Sequence, residues 1–190
     1  MVSDGAVDRP TAPSERRAAR RAITVLTVGA VVVLGLDLLT KQLAVAQLEG
    51  RGPVELLGGA VYLSLTRNGG AAFSMGTRYT FVFPLITVVV VGWIAWMARR
   101  LRSTAWAVAL GLVLGGALGN LTDRIFRSPG PFVGHVVDFV SVFDPYGQVF
   151  PVFNLADSAL TCGVVLAIIL EVTGRRRDGT RVRHSDRDAQ

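Results

Sequence analysis

The feature that most constrains this chain is the alternation of long apolar runs with clusters of arginine. The runs extend from about Ala22 to Leu39, Tyr79 to Ala98, Ser103 to Leu121 and Val152 to Val172. Each reaches or approaches the ~20 apolar residues that carry a helix across a bilayer core. Only 18% of the 190 residues are charged and 51% are hydrophobic. A soluble domain carries about 25% charged residues, so neither that class nor a disordered polymer fits. The second run has Pro84 early and Trp93 and Trp96 late, which suits an interfacial aromatic anchor. The third is rich in small residues (Gly111, Gly115, Gly116, Ala117, Gly119) that permit close helix approach.

The basic residues set a direction. Fourteen of the twenty lie in the N-terminal segment, in the Arg99–Arg102 link and from Arg175 onward. A four-pass chain brings these three regions to one side, and a positive excess marks the cytoplasm. Lys41, Arg51, Arg67, Arg78, Arg124 and Arg127 fall in the two outward loops. Positive-inside topology therefore accounts for the pI of about 10.6, and no nucleic-acid partner is expected. Arg20-Arg21, the apolar stretch after them and Ala44-Val45-Ala46 imitate a cleavable leader. Asp37 and Lys41 interrupt the approach to that site, and cleavage would upset the arginine pattern, so the segment is read as a retained span.

The expected fold is an all-α membrane protein of four transmembrane helices with a small extracytoplasmic β-sheet and loop region. Residues 22–172 form the transmembrane domain, and residues 1–21 and 173–190 are polar, disordered cytoplasmic tails. Val54–Leu57 and Val61–Thr66 flank Gly58-Gly59 and predict two short strands around a turn. A further short strand is expected near His135 to Val140. The single cysteine, Cys162, excludes an internal disulfide, and its place inside the fourth run predicts a small core residue. With two histidines, His135 and His184, no metal centre or cofactor is expected.

The acids and amides recur at one level. Asp37 closes the first span, Asn120 and Asp123 close the third, and Asn154 and Asp157 open the fourth. Asp138 lies in the loop between the last two. Ionisable groups at membrane depth cost at least ~2.5 kcal/mol near a helix centre, so they point to function by default. Both Asn120-Leu-Thr-Asp123 and Asn154-Leu-Ala-Asp157 are Asn-x-x-Asp, so each acid would have an amide neighbour on its own helix face. Arg124 offers Asp123 a positive partner, and Lys41 can pair with Asp37 at i, i+4. Those two acids read as structural, and Asp144 before Pro145 reads as a turn residue. Asp157 has no basic neighbour in sequence, and Asp138 is bracketed by Val136-Val137 and Phe139-Val140. Two facing carboxylates cannot both ionise, so they share a proton: one activates water and the other donates to a carbonyl oxygen. Metallopeptidase His-Glu-x-x-His and Gly-x-Ser-x-Gly elbows are absent from the sequence.

At these residues the chain resembles lipoprotein signal peptidase, also called signal peptidase II, over about Ala22 to Val172. The motifs occur in order as Asp37-Leu-Leu-Thr-Lys41, Asn68-Gly-Gly-Ala-Ala-Phe-Ser74, Gly115-Gly-Ala-Leu-Gly-Asn-Leu-Thr-Asp-Arg124, Val136-Val-Asp-Phe139 and Phe153-Asn-Leu-Ala-Asp-Ser158. The resemblance implies an aspartic endopeptidase of the bacterial inner membrane. It would remove signal peptides from diacylglyceryl-modified prolipoproteins, cutting before the lipidated cysteine. By motif, Asp138 and Asp157 are the catalytic pair. Asp37, Lys41, Asn68, Asn120, Asp123, Arg124, Asn154 and Ala156 match positions that shape the site or hold substrate. The implied partners are lipidated prolipoproteins and membrane lipids, and the implied state is a monomer. The stretch from Ile125 to Gly134 is longer than the family's compact version. A proton-coupled carrier and a non-catalytic scaffold are the rival classes. The carrier lacks acids in the inner halves of spans two and three, and the scaffold has no use for clustered acids.

Overall fold

The computed structural model describes residues 13–70 and 82–181. Helix α1 (Pro13–Leu48) leads into strand β1 (Val54–Leu56), a 3-10 turn (Leu57–Gly59) and β2 (Val61–Asn68). Then follow α2 (Val82–Ala98), α3 (Thr104–Phe126), β3 (Val136–Val142) and α4 (Leu155–Val172). Among the described residues, α1, α3 and α4 are long and apolar enough to cross a membrane, and α2 is a shorter apolar helix.

Small residues let α3 run between α1 and α4. A methyl group at Gly111 would lie 2.9 Å from the Leu26 carbonyl oxygen, and one at Gly163 of α4 would lie 2.8 Å from that of Ala109. Such contacts replace the hydrophobic driving force that lipid cannot supply. The apolar core gathers Ala22, Leu26, Ile94, Trp106, Leu110 and Leu170 toward the arginine-rich end. Outward faces are apolar instead: Val28, Val31, Val32, Leu85, Val88, Val89, Ile168 and Ile169 are all exposed. Buried charge and exposed valine together describe a surface solvated by lipid rather than water.

Three expectations are corrected here. Helix α1 neither starts at Ala22 nor ends at Asp37. Pro13 suits a first helical position, Ala and Arg are strong helix formers, and the buried stripe Ala22, Leu26, Ala30, Asp37, Lys41, Ala44, Leu48 continues to the end. Residues 13–21 are thus helical, and residues 175–181 form a hairpin described below. Cys162 is exposed, not in the core. The α4 sequence is apolar on all sides, so periodicity could not separate the lipid face from the stripe Ala156, Ala159, Gly163 that is buried.

The sheet has the order β1-β2-β3, antiparallel throughout. Val54 pairs with Leu63, Thr66 with Asp138 and Asn68 with Val136, with an irregularity between Leu63 and Thr66. On its other edge β3 is held by Phe153, which exchanges backbone hydrogen bonds with Val140. Asp138 is thereby fixed between Asn68 on one side and the start of α4 on the other.

Candidate active site

Asn154 is the N-cap of α4. Its Oδ1 accepts from the Asp157 backbone N–H at 2.9 Å, and Asp157 Oδ2 accepts from the Asn154 N–H at 3.1 Å. This reciprocal cap is a local reason for Asn-x-x-Asp that sequence spacing alone did not separate from a helix-face pairing. The remaining Asp157 oxygen accepts from Asn120 Nδ2 at 2.8 Å. Asn154 Nδ2 in turn donates to Asp138 Oδ1 at 2.6 Å, and Asn68 Nδ2 donates to Asp138 Oδ2 at 3.1 Å. Amides therefore serve acids on other elements: Asn120 supports Asp157 rather than standing by for Asp123.

Behind this layer sits a buried lysine. Lys41 Nζ lies 2.8 Å from Asp37 Oδ2, 2.9 Å from Asp123 Oδ2 and 2.9 Å from Asn120 Oδ1. The ammonium donates a hydrogen bond to Asn120 Oδ1 and ion-pairs with the two carboxylates. By donating to Asn120 Oδ1, the ammonium fixes the amide so that Nδ2 faces Asp157. Asp37 Oδ1 accepts from the Ala156 N–H at 2.9 Å, and Asp123 Oδ2 accepts from the Val137 N–H at 3.2 Å. Each supporting acid thus grips the residue immediately before one of the two cavity acids. Gly119 makes room for this, since a methyl group there would lie 2.5 Å from Asp37 Oδ2. Ala156 contributes its N–H and a small, fully buried side chain. Asp123 also ion-pairs with Arg127.

Arg124, expected beside Asp123, donates to the carbonyl oxygens of Asn68 (3.1 Å), Gly134 (3.1 Å) and Gly70 (2.7 Å). It ties the end of β2 to the loop after α3. Residues 71–74 of the Asn68–Ser74 motif lie outside the described residues. The Ile125–Gly134 stretch folds back on the end of α3, where Gly134 N–H donates to the Arg124 carbonyl and His135 N–H to that of Ser128.

Asp138, Asp157, Asn68, Asn120 and Arg124 line one end of a cavity of about 520 Å³. Its length is apolar, walled by Ile86 and Val90 of α2, Val113 and Ala117 of α3, and Leu160 and Val164 of α4. Phe153 of the last motif also lines it, with Phe150–Val152, a segment with no chemical signature in sequence, whereas none of the Ile125–Gly134 stretch does. Burial first, and then the Asp157 charge, push the Asp138 carboxyl up to about 7 against the pull of the Asn68 and Asn154 amides. Two carboxyl groups in one low-dielectric slot, one of them inclined to keep its proton, have the chemistry that general acid and general base work requires.

An apolar slot ending in two carboxyl groups, set among membrane-length helices, is the kind of site that a membrane-embedded hydrolase requires. The family described as signal peptidase (SPase) II matches residues 29–173, and the chain belongs to it. It is thus a bacterial membrane protein and a peptidase. It is similar to the lipoprotein signal peptidase of Mycobacterium tuberculosis (strain ATCC 25618 / H37Rv), 48% identical over 182 residues, 96% of this chain and 86% of that protein. The lipoprotein signal peptidase of Rhodococcus jostii (strain RHA1) is 55% identical over 156 residues, 82% of this chain and 76% of that protein. Two solved structures of a bacterial membrane enzyme, determined by the in meso method, share its fold at a TM-score of 0.67 and 30% identity. The likeness covers 79% of this chain and 88% and 94% of those.

Proposed function

We propose that this chain is an aspartic endopeptidase that removes signal peptides from diacylglyceryl-modified prolipoproteins, cutting before the lipidated cysteine. The observation that carries this reading is the convergence of Asp138 and Asp157 on the polar end of an otherwise apolar cavity. The apolar length suits a hydrophobic signal segment, and the polar end suits the peptide bond that follows it. The names of the relatives supply the substrate class.

In the mechanism, Asp138 enters protonated and Asp157 enters as carboxylate. Asp157 takes a proton from water as the water oxygen attacks the scissile carbonyl carbon, and Asp138 gives its proton to the carbonyl oxygen. The tetrahedral intermediate then returns a proton to one carboxylate. The other delivers the proton taken from water to the leaving nitrogen, and the C–N bond breaks. One water is consumed and the pair regains its single shared proton. Asn154 and Asn68 hold Asp138, and Asn120 and the α4 cap hold Asp157, so neither acid has to reorganise. Arg124 shapes the polar end through the carbonyls that it binds.

The reading includes four spans in the inner membrane, with α2 as the second, both termini cytoplasmic and the acids near the outer leaflet. The peptidase unit is a monomer of residues 22–172 extended at both ends. Incubating the purified full-length chain in detergent with a lipidated prolipoprotein tests it. A downward gel shift is expected, and a persistently intact precursor overturns the proposal. Equal cleavage of lipidated and unlipidated precursor would remove the requirement for the diacylglyceryl group.

A further inference from the structure

At the opposite end from the acids, three arginine-rich segments meet. Arg102 ion-pairs with Glu15 of α1 at 3.0 Å. The backbone N–H groups of Arg102 and Ser103 donate to the Arg177 carbonyl at 2.9 and 3.0 Å, and Trp106 Nε1 donates to the Arg175 carbonyl at 2.7 Å. The segment after α4 is closed into a hairpin by pairing of Arg175 with Arg181 and by an Arg176 N–H bond to the Thr180 carbonyl. The Arg177 guanidinium stacks over Trp106, 5.5 Å from its ring centre. A polar tail that only solubilised the terminus would have no need of this docking.

The hairpin forms one wall of a second cavity, of about 450 Å³, whose other wall is the end of α2. Arg99 and Arg100 face Arg176 and Arg177 across it, over Trp96 and Met97. Two carboxylates, Glu171 and Asp178, also line it, leaving a formal excess of two positive charges. Asp178 is engaged within the hairpin, accepting from the Thr180 N–H at 2.9 Å and its hydroxyl at 2.6 Å. Arg99 and Arg100 make no ion pair among the described residues, and Arg176 has only the longer-range attraction of Asp178, which Arg102 shares. Like charges held around a cleft repel unless an anion lies between them.

We infer that this cleft binds the phosphate headgroup of an anionic phospholipid in the inner leaflet. Basic pockets between helices on the cytoplasmic side suit such headgroups, and guanidinium groups match phosphate oxygens in bidentate geometry. The exposed Trp93 and Trp96 and the apolar outer face of α2 continue from the cleft along the bilayer, offering a track for an acyl chain. The inference rests on the helices being membrane-embedded with the arginine-rich end cytoplasmic, as proposed above, and not on the peptidase chemistry.

Native mass spectrometry of the delipidated full-length chain in detergent provides the test, with phosphatidylglycerol, phosphatidylcholine of the same chains, and inorganic phosphate as separate probes. Saturable retention of phosphatidylglycerol alone is expected. Each basic group near a membrane surface contributes about fivefold in affinity, so Arg99→Gln/Arg100→Gln/Arg176→Gln should weaken it about a hundredfold. Arg177 is kept because it packs on Trp106. If the triple variant does not fold, the exposed pair Arg99→Gln/Arg100→Gln serves, with about a 25-fold loss expected. Equal retention of both lipids, or unchanged retention by the variants, overturns the inference. Retention of inorganic phosphate in place of the lipid would make the cleft a free-anion site and overturn it as well. Asp138→Asn should bind the lipid as wild type does, which separates this outcome from failure of the peptidase reading.

Discussion

Replacing Lys41 with methionine tests whether one ammonium organises the site. Methionine keeps most of the stem's volume but removes a charge held between Asp37 at 2.8 Å, Asp123 at 2.9 Å and Asn120 at 2.9 Å. All three charged side chains are at most 1% exposed, so water cannot take over. Removing one partner of a buried ion pair costs ~3–5 kcal/mol, because the other charge is stranded. Asp123 keeps Arg127 and the Val137 N–H, whereas Asp37 keeps only the Ala156 N–H among these partners, so the lower end, ~3 kcal/mol, is expected. For a chain of this length that is a fall of roughly 6–12 °C in Tm. Thermal unfolding in detergent, followed by tryptophan fluorescence, measures it. Asp37→Asn/Lys41→Met removes the stranded charge while keeping an acceptor for Ala156, and should recover about half of the loss. A single variant within about 2 °C of wild type, or a double variant no more stable than the single, would refute the clamp.

Asp138→Asn and Asp157→Asn should each lower turnover by at least ~10²-fold while leaving the fold intact, and the double variant should be little worse than either. Well-folded single variants with substantial gel-shift activity would end the dyad model. Asp138 has an ordinary value of 3.8 and sits at about 7 in the folded chain, so between these the folded state binds more protons and gains stability as pH falls. The Tm advantage of wild type over Asp138→Asn should therefore grow from pH 7 to pH 5, and turnover should fall as pH rises through about 7. Gly163→Ala, which brings a methyl group within 2.8 Å of Ala109 O, should cost ~1–3 kcal/mol by overpacking, whereas Gly35→Ala, with nothing within 4 Å, should be neutral or stabilising. Thermal unfolding of the two variants decides. In a Cys162→Ala background, Ser103→Cys in intact cells should resist an impermeant thiol reagent added outside, whereas Gly58→Cys should react.

The acids were legible because charge stands out in apolar sequence, and the strands because glycine separates two alternating runs. What joined them was not. Spacing reports only which residues share a face of their own helix, so it linked Asn120 to Asp123. In the fold Asn120 reaches across to Asp157, and Asp123 turns to Lys41, Arg127 and the Val137 N–H. Backbone donors such as Ala156 N–H carry no side-chain signature at all. The hairpin after α4 was hidden for another reason. An arginine-rich terminus has the composition of a solvated tail, and only the docking of the Arg175 and Arg177 carbonyls distinguishes it.

The i, i+4 spacing of Asp37 and Lys41 has a consequence for biosynthesis. The first helix leaves the ribosome before any residue of α3 exists, yet its acid already carries a counter-ion one turn away. A charge-neutral pair enters lipid at far lower cost than a lone carboxylate. Asp123 brings its own companion in Arg127, also four residues on. Each segment can thus be threaded into the bilayer self-neutralised, and Lys41 then shares itself between the two acids once α3 arrives. The finished network adds the cross-helix contacts of Lys41 with Asp123 and Asn120 to two pairs that are neighbours within their own segments.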